Sequence, residues 1–348
     1  MIGTGKLAFA GGIVLCSAVM AVAQPRDFTV VAFGGNTQDG MRAAYFTPFA
    51  AAKGIRVLEE SWDGGIGVIQ SRVQAGTPNW DLVEVEAEEL ALGCFDGLYE
   101  KIDWSKIGNK DDFLPQAVSP CGVGTFVWST ALAYDGDALA EGPKSWADFW
   151  DVQKFPGQRA LRRGPKYTLE FALMADGVPA AEVYEVLATP EGVDRAFAKL
   201  DELKPNLVWW EAGAQPLQLL ATGEVAMTSV YSGRVAGVNR YEGRNLKIVW
   251  EGSIPAVDSW VILKGSPHVD LAHEFIAFAS QPERLAQLPE YVAYGPPTKA
   301  GTALVREDLR ADLPTTPENM EGTLPLDVDF WVDNLEELNQ RFNAWIGQ

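Results

Sequence analysis

Histidine is almost absent from this 348-residue chain, with two copies, and cysteine is nearly so, with three. His268 and His273 stand five apart, and neither a CxxC nor an HExxH spacing occurs, so no zinc centre is expected. A GxSxG elbow is missing as well, which leaves a hydrolase without a nucleophile and its base. A secreted hydrolase is therefore a remote reading, and neither cofactor nor metal is expected. Basic residues are also scarce, with 28 Lys and Arg against 47 Asp and Glu and a net charge of −19. Nucleic acid and anionic membranes both require clustered cations, so neither is an expected partner. Acidity favours cations instead, or serves only solubility. An apolar content of 47% excludes disorder.

The first residues read as an export signal. Lys6 gives a positive start, Leu7 to Ala18 an apolar run, and Ala21, Val22 and Ala23 a small-x-small cleavage site before Gln24. A membrane anchor needs roughly 20 apolar residues, whereas Gly11, Gly12 and Ser17 interrupt this run and Pro25 follows it. Cys16 is preceded by Leu15 rather than a small residue, which disfavours lipidation. Cleavage after Ala23 leaves 27 basic and 47 acidic residues in a periplasmic protein with a charge of −20. A mature chain of this length exceeds one ordinary hydrophobic core, so two lobes are expected, in a monomer. Cys94 and Cys121 remain, and in an oxidising compartment they are expected to bridge, closing a loop that corresponds to roughly 3 to 4 kcal/mol.

Strand and helix patterns alternate. Residues 28–33, 55–61 and 81–86 read as strands, with helices over 39–53 and 66–75 and another beginning at 88. The order implies a largely parallel sheet with ligand groups at the carboxyl ends of its strands. Residues 125–135 form a long apolar strand able to pass into a second lobe, followed by SWADFWD as a short helix capped by Ser145. The second unit reads as strands at 159–163, 206–210 and 225–231, with helices at 169–175, 190–203 and 216–222. Residues 258–265 form a returning strand, and helices follow at 270–279 and 332–345. The expected division is residues 24–134 with 259–306 in one lobe, and 135–258 with 307–348 in the other.

SWADFW after the crossing strand, ATGEVAMTSVYSG in the second lobe, AVDSWVI at the return and YGPPTK near the end together carry a resemblance. In that order they are similar to the periplasmic solute-binding proteins of polyamine-type (spermidine/putrescine) ABC transporters, over nearly the whole mature chain. The resemblance implies an α/β, two-lobed type II venus-flytrap fold, each lobe a mainly parallel sheet flanked by helices. A small amine would bind between the lobes, and closure would present the protein to a membrane permease. Asp258 falls where such proteins place a carboxylate for an amine. Glu86 falls at a polar strand end, with Glu84 on the same face by the two-residue period. Tyr231 and Tyr294 match cleft aromatics, with Trp62, Trp210 and Trp331 as further candidates for contact with an ammonium.

Departures from the pattern open an alternative ligand. Tyr167 stands where a second-lobe acid is common, and Ala256 replaces an aromatic two places before Asp258. The first strand ends in Gly34, Gly35, Asn36 and Thr37, whose backbone N–H groups could approach a ligand oxygen. Arg162, Arg163, Lys166 and Arg234 are cations that a purely cationic ligand would avoid, and an arginine fork suits a carboxylate. The main expectation is a polyamine or related amine; the alternative is a zwitterionic ω-amino acid such as γ-aminobutyrate. A ferric-ion binder is disfavoured, since adjacent tyrosine ligands are absent.

Overall fold

The computed structural model describes residues 26–76 and 78–347, together with Met1 and Gly3. The expected export signal and its cleavage site lie outside the described residues. Eight strands form one continuous array in the order β2-β1-β3-β8-β4-β7-β5-β6. These are β1 (Phe28–Ala32), β2 (Val57–Ser61), β3 (Leu82–Val85), β4 (Gly122–Asp135), β5 (Arg159–Arg162), β6 (Leu207–Trp210), β7 (Met227–Tyr231) and β8 (Leu246–Ile262). Within each half the short strands are parallel, β1 pairing with β2 and β3, and β5 with β6 and β7. The inner strands β1, β3, β5 and β7 are largely buried between helices, while the edge strands β2 and β6 are half-exposed.

The two long strands make the molecule bilobal. One end of β8 pairs with β3 through Ser259–Ile262, and the far end of β4 pairs with β7 through Thr130–Tyr231 to Tyr134–Met227. Between these stretches β4 and β8 are paired with each other, antiparallel, with irregularities at Gly124/Phe126 and Thr130/Leu132. This ribbon carries Phe126, Trp128, Ala256 and Asp258 across the junction.

Two elements differ from the sequence reading. β8 begins at Leu246 rather than 258 and runs through Pro255. The proline is tolerated because at Ser129↔Pro255 the strand is paired on one side only, so the missing N–H leaves no ladder bond unmade. The helix expected over 39–53 starts at Gly35 and contains a wider π turn at Arg42–Phe46 before Thr47–Lys53. Pro48 has no N–H for the carbonyl four residues back, and a widened turn absorbs that missing bond. Cys94 and Cys121 are bridged, with Cα atoms 5.7 Å apart.

The first lobe's core centres on Phe28, Phe46, Phe49, Trp260 and Phe275, whose rings meet at centroid distances of 5.1 to 6.5 Å. In the second lobe the helix Val328–Ile346 lays Phe342 and Trp345 on Trp209 and Phe197. Arg159 is wholly buried there and donates to the carbonyls of Phe149, Gly157 and Phe155 at 2.7, 2.8 and 2.5 Å. Burial lowers its pKa to about 10, and the carbonyls substitute for the water it has lost.

Candidate ligand-binding site

The crossing ribbon supplies the centre of the site. Trp128 on β4 donates its indole N–H to Asp258 Oδ1 on β8 at 2.8 Å, both side chains buried. Ala256 stands opposite Trp128 in the register, so the small residue at this position leaves room for the indole from the neighbouring strand. Tyr167 and Tyr231 approach Trp128 edge-on, at centroid distances of 6.3 and 5.3 Å. Tyr294 stacks on Phe126 at 4.8 Å, held against the ribbon by the bridge between Val127 and Gly295. Asp258, Tyr167, Tyr231 and Tyr294 therefore converge on one place. Tyr167 has a backbone φ of 70°, the only positive value at a non-glycine among the described residues. Such a conformation is strained, and here it places a buried ring at the lobe junction with its hydroxyl unpartnered.

Acids gather on the first-lobe side. Glu84 is 1% exposed and Asp258 5%, and the register sets Glu84 opposite Trp260, two residues from Asp258 on the same face. Burial raises the Glu84 carboxyl to about 7 and Asp258 well above the usual carboxylate range. Glu86 heads the helix Ala87–Phe95 in a reciprocal cap with Glu89, whose Oε2 accepts the Glu86 N–H at 3.0 Å. Burial raises Glu86 too, opposed by the charge of Lys166.

Cations come from the second lobe. Lys166 pairs with Glu88, joining the loop after β5 to the helix Ala87–Phe95, and lies 5.0 Å from the Tyr167 ring centroid. Arg162, Lys166 and Arg234 all act on the Tyr231 hydroxyl against Glu86, while burial raises its pKa. Glu86, Glu88, Arg162 and Lys166 line a cleft of about 360 Å³ drawing on both lobes. Arg163 lines the same cleft and is paired with Glu211 at 3.0 Å.

Several residues expected to meet ligand have structural partners instead. Trp331 is fully buried in the second lobe and donates its indole N–H to Glu170 Oε1 at 2.7 Å, an oxygen that also accepts from Tyr184 at 3.0 Å. It is therefore a core residue without a face for ligand. Trp62 and Trp210 are likewise buried, donating to Glu84 O and to Ser229 Oγ at 3.1 and 3.2 Å. At the glycine turn, the Phe33 N–H donates to Glu84 Oε2 at 3.3 Å and the Gly34 N–H to Gln38 Oε1 at 3.1 Å. Those two donors already have partners, so the expected anion site at that turn does not form around them. Asn36 is exposed on the short helix that follows. Trp128 and Phe126 are absent from the sequence-based set because they read as core of an apolar strand. Their two-residue spacing on the ribbon, beside a carboxylate-bearing strand, is the signal.

Removing the Trp331 indole donor tests that assignment. Trp331→Phe is expected to lower stability by about 1 to 3 kcal/mol, since Glu170 loses a buried partner, while ligand affinity stays unchanged. Chemical denaturation and calorimetry on the same variant check both halves.

The model for bacterial extracellular solute-binding proteins matches residues 44–311. A γ-aminobutyric acid-binding protein of Pseudomonas aeruginosa is 50% identical over 95% of this chain and 94% of its own. The spermidine/putrescine-binding periplasmic protein of Escherichia coli is 26% identical over 85% of this chain and 86% of its own. Among solved structures, a GABA receptor superposes with a TM-score of 0.82 at 34% identity, covering 92% of this chain and 98% of the other. The chain thus belongs to the bacterial extracellular solute-binding proteins and is a solute-binding component of an ABC importer.

Proposed function

We propose that this protein binds a short ω-amino acid of the γ-aminobutyrate type between its lobes and hands it to the permease. The carrying observation is the opposition of charges around Tyr231 and Tyr294 at the lobe junction. Glu84, Glu86 and Asp258 lie on the ribbon and first lobe, while Arg162, Lys166 and Arg234 approach from the second. A zwitterion satisfies both sides, its ammonium near Asp258 among Trp128, Tyr231 and Tyr294 and its carboxylate toward the arginines. A diamine would bring its second ammonium against three cations, and the polyamine expectation is the weaker reading for that reason. The binding named for the 50% identical relative supports the same choice.

Calorimetry and thermal shift with γ-aminobutyrate, putrescine, spermidine and agmatine test the reading. The ω-amino acid is expected to bind more than about tenfold tighter than any of the amines, a difference of about 1.4 kcal/mol. At 1,000 times its dissociation constant it should stabilise the fold by about 4 kcal/mol. Heat from putrescine with none from γ-aminobutyrate would return the site to the polyamines.

A further inference from the structure

Glu84 sits one step behind Asp258, away from the aromatic walls. Its strand pairs antiparallel with β8, bringing Glu84 opposite Trp260, two residues from Asp258 on the same face. The Glu84 carboxylate takes one hydrogen bond, from the Phe33 N–H, while its Oε1 has no donor among the described residues. Its neighbour on that face is the equally buried Asp258 carboxyl. Two carboxylates side by side in a buried site without a cation cannot both stay ionised, so the pair keeps a proton.

The other groups acting on the pair do not remove that need. Glu86, on the same strand end, adds negative charge to both. Tyr45 from the π turn faces Glu84 with its own hydroxyl unpartnered, and Tyr294 faces both acids; burial and these acids keep the two phenols protonated. Trp128 is a fixed donor to Asp258, and Arg234 acts on Tyr294. Neither Glu84 nor Asp258 is in an ion pair among the described residues.

We propose that Glu84 and Asp258 share a single proton, so that the buried pair presents one negative charge to the ligand, and that Glu84 thereby fits the site to one ammonium rather than two. Two ionised carboxylates would draw in a dication; one shared proton halves that charge. A docked ammonium favours the fully ionised pair, so binding releases part of the proton, and affinity rises with pH until the ligand-free pair is itself ionised. The identity of the ligand rests on the ω-amino acid reading above, whereas the shared proton exists without ligand and is measured without it.

Infrared difference spectroscopy of the ligand-free protein at neutral pH, wild type minus Glu84→Gln, reads the proton directly. A protonated-carboxyl band is expected in the wild type and is expected to shift in the variant, where any remaining proton belongs to Asp258 alone. Glu170, the second-lobe acid that burial also raises to about 7, is common to both proteins and cancels. Glu170→Gln supplies the reciprocal comparison, in which the pair's band persists, and it remains readable if the Glu84 variant does not fold. Calorimetry with γ-aminobutyrate in two buffers of different ionisation enthalpy follows. The wild type should release a fraction of a proton and Glu84→Gln none, with affinity at acidic pH within about threefold, since glutamine mimics the protonated acid. Identical infrared spectra for wild type and Glu84→Gln would overturn the proposal, as would proton release that survives the substitution. If γ-aminobutyrate gives no heat even with wild type, the ligand reading fails and the infrared result still decides the shared proton.

Discussion

Asp258→Asn is expected to weaken γ-aminobutyrate binding by more than about tenfold, because truncating one partner of a buried, hydrogen-bonded charge pair costs about 2 to 5 kcal/mol. Asparagine keeps the shape and can still accept the Trp128 N–H through its oxygen, so the fold is expected to persist. Its amide can also donate to Glu84, but any charge left on Glu84 then lies one step farther from the ligand. Glu84→Gln is expected to leave affinity at acidic pH nearly unchanged while Asp258→Asn weakens it, and that asymmetry identifies the carboxylate that meets the ammonium.

The same variant changes the pH dependence of stability. Burial raises the Glu84 carboxyl from an ordinary 4.5 to about 7, so between these values the native state holds more protons than the unfolded chain. Stability contributed by the protonated form is then lost as pH rises through this window. Denaturation of the ligand-free protein near pH 5 and near pH 8 should show the wild type losing stability with pH, and Asp258→Asn losing less, because the raised Asp258 carboxyl no longer titrates. Glu170 adds a slope of the same sign in both proteins. An unaltered affinity in Asp258→Asn would remove this residue from the ligand site.

Local chemistry made much of the fold legible. The helix Pro190–Leu203 begins with Thr189 accepting the Gly192 N–H, carries proline at its first position and buries one apolar stripe, each of which can be read along the chain. The crossing strands could be read from uninterrupted apolar runs, except for the first half of β8. Pairings between distant residues were not legible. Trp331 looked like a cleft aromatic because its partner Glu170 is 161 positions away. Trp128 looked like core because Asp258 is 130 positions away. The placement of Glu84 beside Asp258 depends on the antiparallel register of β3 and β8, and no periodicity within either segment encodes that register. Residue types at strand ends were readable from sequence; which of them share a proton, or a face, required the sheet.

Arg234→Gln is the variant expected to separate the two ligand classes. Arg234 stands in the first turn of the helix Ser232–Glu242, directly after Tyr231, and is exposed. Gly213 makes room for it, since a Cβ there would lie 3.0 Å from Arg234 Nε and 2.9 Å from Tyr231 Cδ2. Unlike Arg163, which is held by Glu211, Arg234 has no acidic partner among the described residues, so its guanidinium is available to a ligand carboxylate. Loss of a charge-assisted bond to that carboxylate should weaken γ-aminobutyrate by about 1.5 to 3 kcal/mol. Putrescine has no carboxylate to lose, and removing a nearby cation should leave its affinity unchanged or slightly higher. Arg163 also lines the cleft, but its charge is already paired with Glu211, so Arg163→Gln should move neither ligand. Calorimetry with both ligands on both variants gives the comparison. Equal weakening of γ-aminobutyrate by the two substitutions would mean that only the general field of the second lobe matters; no weakening by Arg234→Gln would leave the carboxylate to Arg162, whose Gln variant should then show the loss.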